Sequence, residues 1–142
     1  MIDKFRGKYM FLSNFEPCKI VYNGRVFSTV EHAFQAAKCM DTNEMRLFCF
    51  VDTPAEAKKW GRQVRLRPDW ESIKLDVMYE FVKQKFSKPK FKELLLNTGD
   101  ELIVEGNNHK DIFWGVCNGV GENNLGKIIM RVREEIRNET ND

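Results

Sequence analysis

The chain has 142 residues, 42% hydrophobic and 31% charged, with a formal net charge of +2, two histidines and four scattered cysteines without a C-x-x-C pair. This fits one domain with its own core, gives no charge argument for nucleic-acid binding, and speaks against a zinc site or a Ser–His–Asp triad, so no metal or cofactor is expected. No apolar run approaches the roughly 18 residues of a membrane span, no signal-peptide pattern opens the chain, and the cysteines read as reduced core thiols, so a cytoplasmic protein without a membrane partner is expected.

The stretch Tyr9–Phe15 is dense in aromatics and ends at Glu16-Pro17, a turn or edge signal. Ile20 to Phe27 reads as a β-hairpin around an Asn23-Gly24 type I′ turn. The hairpin leads directly into a helix beginning at Ser28. In that helix Glu31, Gln35 and Lys38 fall at i, i+4 and i+7 on one face, beside the small residues Ala33 and Ala37. A carboxylate, an amide and an ammonium stacked next to small residues suit the wall of a cleft for a polar ligand. Ser28-x-x-Glu31 is equally a capping box, with Glu31 at N3 reaching back to the N-cap N–H.

Further along, the spacing predicts a helix capped by Thr42 and a short one with Thr53 as cap, Pro54 at N1 and Gly61 at its close. A long helix capped by Asp69 runs to Ser87-Lys88-Pro89, and a last short one carries Phe91, Leu94 and Leu95 before Gly99. Lys83, Lys85, Lys88, Lys90 and Lys92 read as a solvated basic face. The C-terminal third changes character. Residues 101–105 and 112–116 are strand-like, a polar loop lies between them, and Gly119–Asn124 is a flexible turn opening a final helix. The expected fold is α+β, a single helix-rich domain over residues 1–142 with a small sheet from the hairpin and the C-terminal strands.

Several stretches hold polar residues that a plain core does not need. They are Asn14 among aromatics, the face of Glu31, Gln35 and Lys38, Arg62 past a helix end, Trp70 with Lys74 one turn on, and Glu105, Asp111 and Trp114. Structural readings exist for each: Asp111 capping a turn, Trp70 and Trp114 in the core. The Gly119-x-Gly121 turn, up to Asn124, offers backbone N–H groups at a helix start, where anions bind. It lacks the context of a Rossmann fingerprint or a P-loop. Cations and N–H groups for phosphate, indoles for a base and carboxylates for a sugar make a kit for a nucleotide-like ligand. Cleaving an N-glycosidic bond needs the same kit, because its oxocarbenium-like transition state is stabilised by a carboxylate that also activates water.

The ordered set of motifs is more specific than any one of them. It runs Phe11-Leu-Ser-Asn14-Phe15, Thr29-Val-Glu31-His32-Ala-Phe34-Gln35-Ala36-x-Lys38, Gly61-Arg62 and Arg67-x-Asp69-Trp70. It continues with Glu105-x-Asn-x-x-x-Asp111-x-x-Trp114-Gly115, Gly119-x-Gly121-x-Asn123-x-Leu125-Gly126 and Met130-x-x-Arg133. The chain resembles the YbiA-like, or NADAR, family over about Phe11 to Arg133. The resemblance implies an N-glycosidase acting on ribosylated pyrimidine 5′-phosphates of the riboflavin route, or on ADP-ribosylated guanine in nucleic acid. It places the catalytic acids at Glu31 and Asp111, stacking indoles at Trp70 and Trp114, and phosphate-binding cations at Lys38, Arg62 and Lys74. The loop Asn107-Asn108-His109-Lys110 departs from the acidic character expected there, which bears on substrate choice. A binding module for ADP-ribose or a nucleotide without turnover is the alternative. Oligomeric state is not legible.

Overall fold

The computed structural model describes residues 1–141. They gather into two compact units, one of Asn14–Lys85, the other of Met1–Ser13 with the chain from Phe86 onward.

In the first unit, β1 (Ile20–Tyr22) and β2 (Arg25–Phe27) pair antiparallel, with Ile20 opposite Phe27 and Tyr22 opposite Arg25. Asn23 and Gly24 have φ of 53° and 74°, the two left-handed residues that a type I′ turn requires. The hairpin feeds α1 (Val30–Ala37), and α2 (Thr42–Leu47), α3 (Pro54–Gly61) and α4 (Trp70–Phe86) follow. Every residue of α1 is buried. It packs against α3, β1 and the 3-10 turn Phe48–Phe50, so it is the unit's core helix and not a surface helix with one apolar stripe.

Three caps show where local sequence and structure agree and where they part. Thr53 caps α3 as expected, its hydroxyl accepting from Glu56 N at 3.1 Å with Pro54 at N1. The cap of α1 is Thr29 and not Ser28: the Thr29 hydroxyl accepts from His32 N at 3.1 Å. Ser28 is held back by the hairpin, since its carbonyl accepts from Cys18 N at 2.9 Å. Glu31 therefore sits at N2 and no capping box forms. At α2 the cap moves back to Asp41, which accepts from Asn43 N at 2.7 Å. Before α4, the Asp69 carboxylate is held by both Arg67 Nε, at 2.7 Å, and Arg67 Nη2, at 3.2 Å.

The second unit contains the 3-10 turn Gly7–Leu12, α5 (Pro89–Leu96) and α6 (Asn124–Asn141). Ile2, Leu12, Leu95, Ile103, Leu125 and Ile129 build its core. The α+β class holds, with the hairpin as the two-stranded sheet. The C-terminal stretches expected as strands make single bridges instead, Ile2 with Ile103 and Gly106 with Val116, both parallel. The basic stretch is also not one solvated face: Lys85 is 1% exposed, and burial brings its pKa down to about 8 against the attraction of Cys18 and Glu16.

Candidate active site

Glu31 stands in the first turn of α1 with 7% of its surface open. A carboxylate buried this far needs donors. One is Gln35, whose Nε2 donates to Glu31 Oε1 at 2.8 Å across one helical turn. Gln35 itself is 4% exposed, and its side-chain oxygen Oε1 has no hydrogen-bond partner among the described residues. That oxygen occupies the space a side chain at Gly61 would need; a Cβ there would lie 2.6 Å from Gln35 Cδ. Gly61 thus lets α3 close onto α1 with the amide of Gln35 between them.

Lys38 follows as the C-cap of α1. Burial holds its ammonium below the usual lysine range; Glu31 opposes that shift, while Arg62 and Lys58 act with burial. One carboxylate and three cations are therefore electrostatically coupled around the junction of α1 and α3. The backbone draws further residues to it: Glu31 N donates to Asn14 O at 3.1 Å, and Arg67 N to Lys38 O at 2.9 Å. The Asn14 side chain lies 3.5 Å from Met78 Sδ.

The remaining expected ligand groups of this unit are less open. Trp70 is 4% exposed and tilted against Phe34 with ring centroids 5.0 Å apart. As a stacking surface for a base it is covered, because α1 uses its face as core. Lys74 pairs with Glu71 at 2.7 Å.

Asp111 and Trp114 belong to the other unit. Asp111 Oδ1 accepts from Phe113 N at 3.2 Å and Trp114 N at 2.9 Å, the turn-capping use of an aspartate. Asn107 holds the loop from the inside. Its Nδ2 donates to Glu105 Oε2 and to Asp111 O, both at 2.9 Å, and its Oδ1 accepts from Asp111 N at 3.1 Å. Trp114 is half-buried and meets Phe113 edge-on at 4.8 Å.

Of the anion cradle read from Gly119, Gly121 and Asn124, the N–H groups at the start of α6 are taken up within the chain itself. The N–H groups of Glu122, Asn123, Asn124 and Leu125 donate to the carbonyls of Ile112, Gly115, Phe113 and Trp114, at 2.7 to 3.2 Å. Asn124 Nδ2 also donates to Phe113 O at 2.9 Å. These donors at the start of α6 hold the loop 112–115 and not a ligand.

A family model, the NADAR domain, matches residues 3–137. The chain belongs to the NADAR family. It is 42% identical over 137 residues to an N-glycosidase of Nostoc punctiforme, covering 92% of this chain and 87% of that one. It is 37% identical over 131 residues to a riboflavin biosynthesis protein of Vibrio vulnificus, covering 89% of this chain but 35% of that longer one. Among solved structures, the NMR structure of Escherichia coli YbiA superposes with a TM-score of 0.86 at 33% identity, over all of this chain and 90% of that one.

Two features of this NADAR chain escape a sequence reading. Lys58 joins the cations around Lys38; its spacing of i, i+4 from Arg62 on α3 is the signal that points to it. Asn123 ties the start of α6 to the preceding chain, accepting from Glu105 N at 2.9 Å and donating to Ile103 O at 3.0 Å. An asparagine next to a glycine turn gives no such signal by itself.

Proposed function

We propose that this chain works as one NADAR domain that hydrolyses the N-glycosidic bond of a phosphorylated ribosyl compound. The observation carrying the reading is Glu31, a carboxylate 7% exposed and coupled to Lys38, which Arg62 and Lys58 also influence. In such low-polarity surroundings a carboxylate acts far more strongly on a developing cation than it would in water. As the bond from C1′ to the base nitrogen breaks, its electron pair leaves with the base and positive charge grows on the ribosyl carbon. Glu31 stabilises that charge and takes the proton of the water that attacks C1′. The cations bind the phosphate through charge-assisted hydrogen bonds. Asp111 takes the lesser part, ordering a hydroxyl or a water.

Support for this chemistry comes from relatives named N-glycosidase and riboflavin biosynthesis protein. The substrate in this reading is a ribosylaminopyrimidine phosphate or an ADP-ribosylated guanine, the two classes that the family resemblance implies. The reading includes independence from metal, which rests on the donor set. His32 is buried within hydrogen bonds to Thr29 and Val51, and no three His, Cys, Asp or Glu side chains among the described residues gather as a metal site. The test is incubation with each substrate class in the presence of EDTA, following free base and ribose phosphate or ADP-ribose by mass spectrometry. Release from one class is expected. Binding without release from either would make the chain a binding module, and loss of release in EDTA that a divalent cation restores would overturn the metal-free reading.

A further inference from the structure

His32 lies beside Glu31 in the first turn of α1. It is 1% exposed, and both ring nitrogens are engaged: Nδ1 lies 2.7 Å from Thr29 Oγ1, and Nε2 lies 2.9 Å from Val51 O. The partners decide the tautomer. A backbone carbonyl only accepts, so Nε2 carries the proton and donates to Val51; Nδ1 is then the acceptor for the Thr29 hydroxyl proton. The same hydroxyl oxygen accepts from His32 N at 3.1 Å, so the Thr29 hydroxyl and the imidazole form a closed loop around the first turn of α1. Its far end is tied to the chain just after the 3-10 turn Phe48–Phe50. On the other side Glu31 N is fixed to Asn14 O at 3.1 Å. Thr29 to His32 is thus anchored at both the backbone and the ring, with the proposed catalytic carboxylate inside the anchored segment.

We infer that His32 is a positioning residue, which locks the first turn of α1 to Thr29 and Val51 and thereby sets where the Glu31 carboxylate stands. The inference rests on the N-glycosidase reading for its kinetic consequence and on the hydrogen bonds alone for its geometry. A capping threonine by itself satisfies the helix start, and an apolar residue would fill the buried site as well as an imidazole does. What the imidazole adds is direction. A carboxylate that must meet a transition state loses effect steeply when displaced by about 1 Å.

Two measurements test this on the whole chain. Nitrogen-resolved NMR of the histidine rings at neutral pH should show His32 with Nε2 protonated and Nδ1 bare. The opposite tautomer overturns the clamp whether or not any substrate is cleaved, and this separates its failure from failure of the N-glycosidase reading. In kinetics, His32→Phe keeps the bulk and removes both bonds; kcat should fall about tenfold or more with KM changed by less than about threefold. His32→Gln, which retains a donor for Val51, should recover most of that loss. If His32→Phe fails to fold, Thr29→Val against Thr29→Ser asks the same question, with Val impaired in kcat and Ser near the parent. A lowered melting temperature with kcat of the folded variant unchanged, or equal kcat in the two Thr29 variants, overturns the inference.

Discussion

Two carboxylates are held in opposite ways in this protein. Around Glu31 the holding is done by side chains: the amide of Gln35 donates to it and the ammonium of Lys38 attracts it. Around Asp111 the holding is done by backbone. Its Oδ1 accepts from two successive N–H groups, and the loop beyond it is pinned by N–H groups at the start of α6. Glu31 is buried, whereas Asp111 is half-buried. A carboxylate satisfied by backbone N–H groups is doing what turn aspartates do in many folds. One satisfied by a helical amide and a nearby ammonium, in a helix that could have been wholly apolar, carries a desolvation cost that folding alone does not explain. That contrast is why Glu31 takes the leading part.

The sharpest way to break the contrast is Glu31→Gln. Thr29, not Glu31, is the acceptor that caps α1, so the exchange removes no cap, and the new amide oxygen still accepts from Gln35. The fold should stand. Turnover should drop by about 10²–10⁴-fold if the charge assists the reaction. Thermal melts beside single-turnover cleavage decide it; near-normal cleavage would falsify the leading role of Glu31.

The next test uses two glycines, one in each region. At Gly115 a Cβ would run into the backbone carbonyl and the carboxylate of Glu105. That carbonyl is fixed, since it accepts from Val116 N at 2.8 Å. Gly115→Ala should therefore destabilise by about 3 kcal/mol, because moving the Glu105 side chain would still leave the clash with its backbone carbonyl. At Gly61 the obstacle is the end of the Gln35 side chain, which can swing aside at about 1 kcal/mol. Gly61→Ala should then fold but lose turnover about tenfold, as Glu31 loses its amide partner. Denaturant melts and kcat on both variants check the pair. Equal losses of stability would erase the distinction between side-chain and backbone support.

Much of this was legible in the residues, and the exceptions have causes. Asn23-Gly24 and Thr53-Pro54-x-Glu56 announce their turn and cap because the signal is local and nothing distant competes. Ser28 and Thr29 are both good caps, and the hydrogen bond from Cys18 N to Ser28 O, ten residues apart, selects between them. The turn from Gly119 to Asn124 reads as an anion cradle because sequence shows that N–H groups exist at the start of α6 but not which carbonyls engage them. The order of motifs carried the family, since it depends on no single contact. Trp70 and Lys85 show the limit: whether an indole or an ammonium faces solvent depends on which helix packs over it.

Lys85 gives a third contrast within the first unit, a buried charge with no assigned chemistry. Its pKa falls from 10.5 to about 8, chiefly through burial. Below pH 8 the lysine is charged in both the folded and the unfolded chain, and burial works against folding. Between pH 8 and 10.5 the folded state sheds its proton first, so the unfolded chain binds more protons and stability rises with pH. Lys85→Met should raise stability at pH 7 by about 1–3 kcal/mol and flatten that rise. Melts from pH 7 to 10.5 test it, and a destabilised variant at pH 7 would mean that the ammonium's interactions outweigh its desolvation.

The smallest effect should come from Asp111, where Asn and Ala separate two duties. Asparagine keeps the side-chain oxygen that accepts from Phe113 N and Trp114 N and is itself at ease in such turns. Asp111→Asn should melt like the parent, while Asp111→Ala loses both bonds and about 1–2 kcal/mol. If the charge of Asp111 only orders a hydroxyl or a water, Asp111→Asn should also lose at least about tenfold less turnover than Glu31→Gln, because losing one ordering hydrogen bond is worth less than losing transition-state charge. Both variants belong in one set of melts and single-turnover assays with Glu31→Gln. Should Asp111→Asn prove as inactive as Glu31→Gln while melting normally, backbone support would no longer mark the lesser carboxylate, and the two acids would have to share the chemistry.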